Sequence, residues 1–154
     1  MTKRIVEIAL CAVLFVGVAS AGLAQGQDSV TKRTAAMKSM GAAAGGANAA
    51  ASAADFATAS TKAKELAATV KSLSGMFPAG SGPADGVKTR AKPEVWTDAA
   101  GFKAAIDKAA ADADAVVTAA DSKNPDAVKA AVTAFQANCG ACHTKYRGPP
   151  LPAA

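Results

Sequence analysis

Apolar side chains recur at alternating steps of four and three along the last part of the chain: Val128, Val132, Phe135, Cys139, Cys142 and Tyr146. That rhythm matches the 3.6-residue period of an α-helix and puts these residues on one face. Nowhere does the chain show the alternating Val, Ile, Thr and aromatic run of a half-buried strand. A β-sandwich, a barrel and a Rossmann unit are therefore excluded, and no GxGxxG, P-loop or HExxH motif appears. Hydrophobic residues make up 51% of the 154 but aromatics only 5%. Alanine supplies most of the apolar content, and it is the best helix former.

Three more segments carry helical stripes. The first is expected to start near Asp28, a plausible N-cap, with Val30, Arg33, Met37, Met40 and Ala44 on one face. Gly45-Gly46 should interrupt it. The second starts around Asp55 and buries Phe56, Ala59, Ala63, Leu66, Val70 and Leu73. Residues 74–93 are rich in glycine and proline and read as a long loop, a length often tied to function. Pro93 suits the first turn of the third helix, whose face is Trp96, Ala99, Phe102, Ile106, Ala109, Ala113, Val116 and Ala120. Asn124 and Pro125 cap and open the fourth, and Gly148-Pro149-Pro150 ends it. The architecture predicted is all-α, an antiparallel four-helix bundle.

The amino terminus reads as a secretory signal peptide: Lys3 and Arg4, then an uncharged apolar run over residues 8–19, then small residues at Ala19-Ser20-Ala21 and Gly22-Leu23-Ala24. The run is short for a membrane-spanning helix. Cleavage is expected after Ala24, with Ala21 the second choice. Cys11 lacks the context of a lipoprotein site, so no membrane anchor is expected on the mature chain, residues 25–154. Losing Lys3, Arg4 and Glu7 lowers the net charge from +5 to +4. Acids and bases are interspersed, which argues against nucleic acid binding.

The chemistry lies in the last helix. Cys139-Gly140-Ala141-Cys142-His143 is C-x-x-C-H, the attachment signature of a c-type haem. Two thiols so spaced reach the two vinyl groups on one porphyrin edge, and the next residue, His143, swings under the ring to the iron. An exported protein is where such attachment takes place, so the cofactor expected is one covalent haem c in the periplasm. The rival readings lack support. A thioredoxin-like dithiol should follow a strand, a disulfide between Cys139 and Cys142 closes too short a loop to stabilise much, and zinc needs four ligands.

His143 is the chain's single histidine, so the sixth iron position is either open or held by another kind of group. Met37 and Met40 on the first helix are the thioethers that could approach the distal face; the bland reading of both is core packing. Arg33 stands one turn before Met37, placed to pair with a haem propionate or to snorkel to the surface.

These residues carry a family resemblance. The chain resembles cytochrome c′, the class II c-type cytochromes of bacterial periplasms, in five stretches: Arg33-x-x-x-Met37; residues 73–78 with Phe77-Pro78; Lys92-Pro93-Glu94-Val95-Trp96; Ala100-Gly101-Phe102-Lys103; and the C-x-x-C-H followed by Tyr146-Arg147. The resemblance implies a left-handed bundle, often a homodimer through its first two helices. It implies five-coordinate, high-spin iron in an apolar distal pocket that binds small gases such as nitric oxide. It also implies Arg33 near a propionate, Met37 (with Met40) in the distal pocket, Arg147 beside the proximal histidine, and Trp96 and Phe102 near the haem. A pocket without a hydrogen-bond donor should hold oxygen poorly. Partners expected are diatomic gases and redox proteins; no distal acid or base argues for an enzyme. The alternative in the same family is a low-spin electron carrier with His143/Met37 coordination, and in another class a haem-free dithiol or structural bundle.

Overall fold

The computed structural model describes the backbone of residues 2–152 and the side chains of residues 22–152. Five helices follow in order: α1 (Thr2–Ser52), α2 (Phe56–Ser72), α3 (Glu94–Thr97), α4 (Ala99–Asp121) and α5 (Pro125–Tyr146). The four long helices close a ring, α1 packing on α2, α2 on α4, α4 on α5 and α5 back on α1. This is the expected all-α four-helix bundle, with α3 a single turn leading into α4. The α1–α5 seam is the thinnest of the four.

Alanine sets how closely the other helices approach. Ala47, Ala59, Ala63, Ala113 and Ala120 are all fully buried. Between them sit the few large core side chains, Leu66, Val70, Val116 and Val128, also fully buried. Helix ends follow local chemistry. The Asp55 carboxylate accepts from Thr58 N at 3.0 Å, and Asn124 Oδ1 accepts from Asp126 N and Ala127 N at 3.0 and 3.1 Å. Both satisfy amides that a helix start leaves without partners.

Two boundaries differ from the sequence reading. Gly45-Gly46 does not interrupt α1, which runs on to Ser52. Each glycine costs a helix interior about 1 kcal/mol, but Ala43, Ala44, Ala47 and Ala51 around them are buried in the core, and that burial holds the helix. The true stop is Ala54, in the left-handed region at φ 59°. There Asp55 N reaches back to Ala50 O at 2.9 Å, the closing bond of a Schellman turn. At the other end, α1 does not begin at Asp28. The helix is continuous through it, and its carboxylate pairs instead with Lys32 one turn on, at 2.7 Å. The expected signal peptide, residues 1–24, lies almost wholly outside the residues whose side chains are described.

The third predicted helix is two. Asp98, at φ −115° and ψ 54°, breaks it and caps α4 through Oδ1, which accepts from Gly101 N at 3.1 Å. The break shifts the helical phase, so Ala99 is exposed rather than on the buried face. The long loop is real, with short 3-10 turns at Leu73–Gly75 and Pro83–Asp85. Its last residues pair with the end of α5: Lys92 N donates to Tyr146 O at 2.9 Å, and Gly148 N donates to Arg90 O at 2.7 Å. Ala91 and Arg147 form the antiparallel bridge between these two bonds.

Candidate functional site

Helix α5 brings Cys139, Cys142 and His143 to the α1–α5 seam. Both cysteines are free thiols, half-buried. Burial pushes both thiols above their ordinary pKa, and for Cys139 the nearby Cys142 adds to the rise. Both are therefore neutral S–H groups at neutral pH. Burial depresses the His143 pKa, and the Arg147 and Arg90 cations depress it further. The imidazole is thus neutral, the form that binds a metal. Among the described residues no cluster of three His, Cys, Asp or Glu side chains is placed to hold a metal ion.

Two cavities open along the seam, and Met37, Cys142 and His143 line both. The first, of about 200 Å³, reaches outward past Arg33, Phe77, Phe102, Tyr146 and the rim cations Arg90 and Arg147. The second, of about 270 Å³, reaches inward along Met40, Ala44, Leu73, Phe135 and Cys139. Together they form one slot with the thiols and imidazole on the α5 wall and Met37 on the α1 wall. The slot has apolar walls and a basic mouth. A flat apolar plate bearing carboxylates on one edge fits such a slot, and Cys139, Cys142 and His143 are the donor set that a c-type haem uses.

One donor breaks the expectation of a pocket without hydrogen-bonding groups. Asn138, which lines the inner cavity, has a buried Nδ2 with no partner. An orphaned buried amide carries a desolvation cost.

Arg33 lines the outer cavity and is 95% buried, and its role extends beyond it. Its Nη1 donates to Ser81 Oγ at 3.0 Å, and its Nη2 donates to Ser81 O at 2.9 Å and Thr89 Oγ1 at 2.6 Å. The guanidinium also stands 4.9 Å from the Phe77 ring centroid. Burial lowers its pKa, but an arginine stays charged in proteins. All these partners are uncharged, so Arg33 ties the 74–93 loop to α1 while leaving its charge unbalanced.

Most of the expected site residues meet at the slot. Arg33, Met37, Phe102 and Arg147 line the outer cavity and Met40 the inner one. Arg147 Nη1 lies 3.3 Å from His143 Nδ1. Trp96 lines neither cavity. Its indole N–H points to Phe77 O and Pro78 O, both at 3.2 Å, so it braces the loop one layer behind Phe77. Phe77, Phe102 and Tyr146 then stack edge to face, with centroids 4.8 and 5.0 Å apart. Arg90 and Asn138 were not singled out from the sequence. Neither carries a local signal, since the distant contacts that place them appear only in the fold.

Comparison with known proteins agrees with this geometry. The family model described as Cytochrome C' matches residues 28–147. A curated cytochrome c′ of Rubrivivax gelatinosus is 46% identical over 68 residues, 44% of this chain and 53% of that protein. One of Rhodospirillum rubrum is 33% identical over 85 residues, 55% of this chain and 56% of that one. The chain thus spans about half the length of these two relatives. Among solved structures, cytochrome c′ from Rubrivivax gelatinosus superposes with a TM-score of 0.69 at 32% identity, covering 79% of this chain and 96% of that one. Cytochrome c prime from Alcaligenes xylosoxidans, a ferrous variant with bound NO, gives 0.72 at 25% identity, covering 81% and 97%. A basic-mouthed slot with C-x-x-C-H on its α5 wall, inside a bundle that superposes on these structures, places the chain in the cytochrome c′ family of haem proteins.

Proposed function

We propose that this chain is a periplasmic gas-binding haem protein that also exchanges electrons. Cys139 and Cys142 would hold one haem through thioether bonds, and His143 would bind its iron. The observation that carries the reading is the slot itself: His143 on the α5 wall, Met37 on the α1 wall, and mostly apolar side chains between. When bound, a haem would supply an iron able to bind small diatomic molecules and to exchange an electron. The chain's residues do the rest. Met37, Met40, Leu73 and Phe135 line the slot with apolar side chains, so small neutral molecules such as nitric oxide or carbon monoxide are favoured over charged ones. Arg33 and Arg90 stand where propionates would meet them, and Arg147 sets the electrostatics at His143.

Relatives support the gas-binding half. The Alcaligenes xylosoxidans protein takes NO in its ferrous form, and another cytochrome c′ shows ligand-controlled dimer dissociation. A homodimer of this chain is part of the proposal. Among the described residues no helix is long and apolar enough to cross a membrane. Among the described residues no Asp, Glu or Lys lines either cavity, and the role proposed is one of binding.

A second reading rests on Met37, which lines both cavities together with His143. If its thioether takes the sixth position, the protein is a low-spin electron carrier. The deciding experiment is an absorption spectrum of periplasmically matured protein: ferric, ferrous, and ferrous with carbon monoxide. A high-spin ferrous spectrum that shifts with carbon monoxide is expected. Sharp low-spin bands unmoved by the gas would select the electron carrier. A colourless product made with the maturation factors present would overturn both and leave a haem-free dithiol or packing module.

A further inference from the structure

Tyr146 is a buried titratable side chain that the gas-binding reading leaves unused. It is the chain's single tyrosine, and it lines the outer cavity beside Cys142 and His143. It lies three residues after His143 on α5, about 4.5 Å further along the helix axis.

Among the aromatic side chains around the slot, Tyr146 has a proton to give and a group that can take it. Its hydroxyl donates to Asp98 Oδ2 at 3.0 Å. Phe77 and Phe102 carry no such proton and are hard to oxidise. The Trp96 indole N–H points to two backbone carbonyls, Phe77 O and Pro78 O, and neither takes up a proton. The pairing has a redox consequence, because a phenol that loses an electron becomes a far stronger acid than any carboxylic acid. Its proton then passes to a carboxylate held against it, even one held below its ordinary pKa as Asp98 is.

The surroundings favour that coupled loss over electron loss alone. A cation on a buried ring is costly, and Lys145 Nζ, 5.0 Å from the Tyr146 ring centroid, repels it further. A neutral ring escapes both costs. Lys145 Nζ also stands 2.7 Å from Asp98 Oδ2, and the Lys145 side chain is 58% exposed. Once Asp98 is protonated, the unpaired positive charge rests on Lys145, in contact with water.

We infer that Tyr146 is a redox-active residue, a one-electron donor to a haem in the slot when a hydroperoxide is reduced there. The inference rests on the haem reading above and goes beyond it by assigning a second redox group. Reduction of hydrogen peroxide breaks its O–O bond and takes up two electrons and two protons to give two waters. Tyr146 supplies one electron and the haem the other; both protons come from solvent. The phenol O–H bond breaks, its proton passes to Asp98 Oδ2, and a neutral tyrosyl radical remains. Phe102, packed edge to face on the Tyr146 ring at 5.0 Å, does not pass the oxidation on. Met37 and Met40 line the same slot, and their oxidation to sulfoxide would put a polar group into an apolar wall. Tyr146 thus spares the lining.

The test adds hydrogen peroxide to matured, haem-loaded ferric protein and freezes samples rapidly for electron paramagnetic resonance. Ring-deuterated tyrosine identifies the carrier, since the chain holds one tyrosine. An organic radical signal is expected that narrows with the deuterated tyrosine, disappears in Tyr146→Phe and persists in Trp96→Phe. Asp98→Asn keeps the shape and removes the acceptor, and should lower the radical yield several-fold. Peptide mass spectrometry of the same samples should show a several-fold rise of sulfoxide at Met37 and Met40 in Tyr146→Phe. No radical, a signal unmoved by deuterated tyrosine, or one lost in Trp96→Phe instead would overturn the proposal. So would an undiminished yield in Asp98→Asn, or methionine oxidation unchanged in Tyr146→Phe. A colourless protein would instead mark failure of the haem reading.

Discussion

The Tyr146 hydroxyl donates to Asp98 Oδ2 at 3.0 Å, tying the end of α5 to the start of α4. The same oxygen takes Lys145 Nζ at 2.7 Å, while Oδ1 caps Gly101 N. One carboxylate thus ends α3, starts α4 and fixes the residue three positions after His143. Tyr146 is 95% buried and lines the outer cavity. Replacing it by phenylalanine keeps the edge-to-face contact with Phe102 and removes the hydrogen bond. The expected loss, read by urea denaturation, is about 1 kcal/mol.

The bonds from Lys145, Tyr146 and Gly101 hold the Asp98 carboxyl below its ordinary value of 3.8. A depressed carboxyl stabilises the fold fully above that ordinary value, and the contribution fades as pH falls through the folded one. Stability measured between about pH 2 and 6 should therefore drop on the acid side. Asp98→Asn should flatten that drop, leaving the share of Asp55, whose carboxyl is lowered by Thr58. An acid limb unchanged in Asp98→Asn would show that Asp98 does not carry it.

Arg33 is the sole link from α1 to both Ser81 and Thr89 among the side-chain hydrogen bonds of the described residues. Lysine cannot reproduce that fork. Arg33→Lys should cost about 2–4 kcal/mol, since hydrogen bonds to a charged group are worth more than neutral ones. The loss should be concentrated in the loop. Hydrogen exchange at residues 81–89 should quicken far more than at α2 amides; a uniform change would place the effect elsewhere.

Two glycines should respond oppositely to alanine. A Cβ at Gly45 meets nothing within 4 Å, whereas one at Gly101 would run into the Asp98 carboxylate. Gly45→Ala is expected to stabilise by about 0.5–1 kcal/mol through helix propensity alone. Gly101→Ala should destabilise, because the cap has to move. Thermal denaturation of the pair gives the sign directly.

Met37→Ala tests the distal side. In the gas-binding form the ferrous spectrum should keep its high-spin character, and the enlarged cavity should raise the carbon monoxide association rate about tenfold, a drop of about 1.4 kcal/mol in the barrier. A change from low-spin to high-spin bands would show instead that the Met37 sulfur was a ligand.

Much of the site was legible in the sequence because it is local. The spacing of Cys139, Cys142 and His143 puts them on one face of any helix they form, whatever surrounds it. Asp55, Asn124 and Pro125 cap or open their helices through bonds to residues two or three positions away. The stripe from Val128 to Tyr146 needed only the helical period, and Val128, Val132, Phe135 and Tyr146 are indeed buried.

What the tertiary structure alone decided is long-range. Local propensity argued for a break at Gly45-Gly46; burial of Ala43, Ala44 and Ala47 against neighbouring helices outweighs it. The residues that hold Arg33 stand 48 and 56 positions away, so no short window contains that network. Trp96 sits behind the slot because Phe77 O and Pro78 O draw its indole N–H there. Arg90 and Arg147 meet at one mouth of the slot where residues 90–92 pair with residues 146–148. Periodicity and capping depend on neighbours in the chain and can be read from it. Charge balance, loop anchoring and the shape of the slot depend on which distant groups folding brings together.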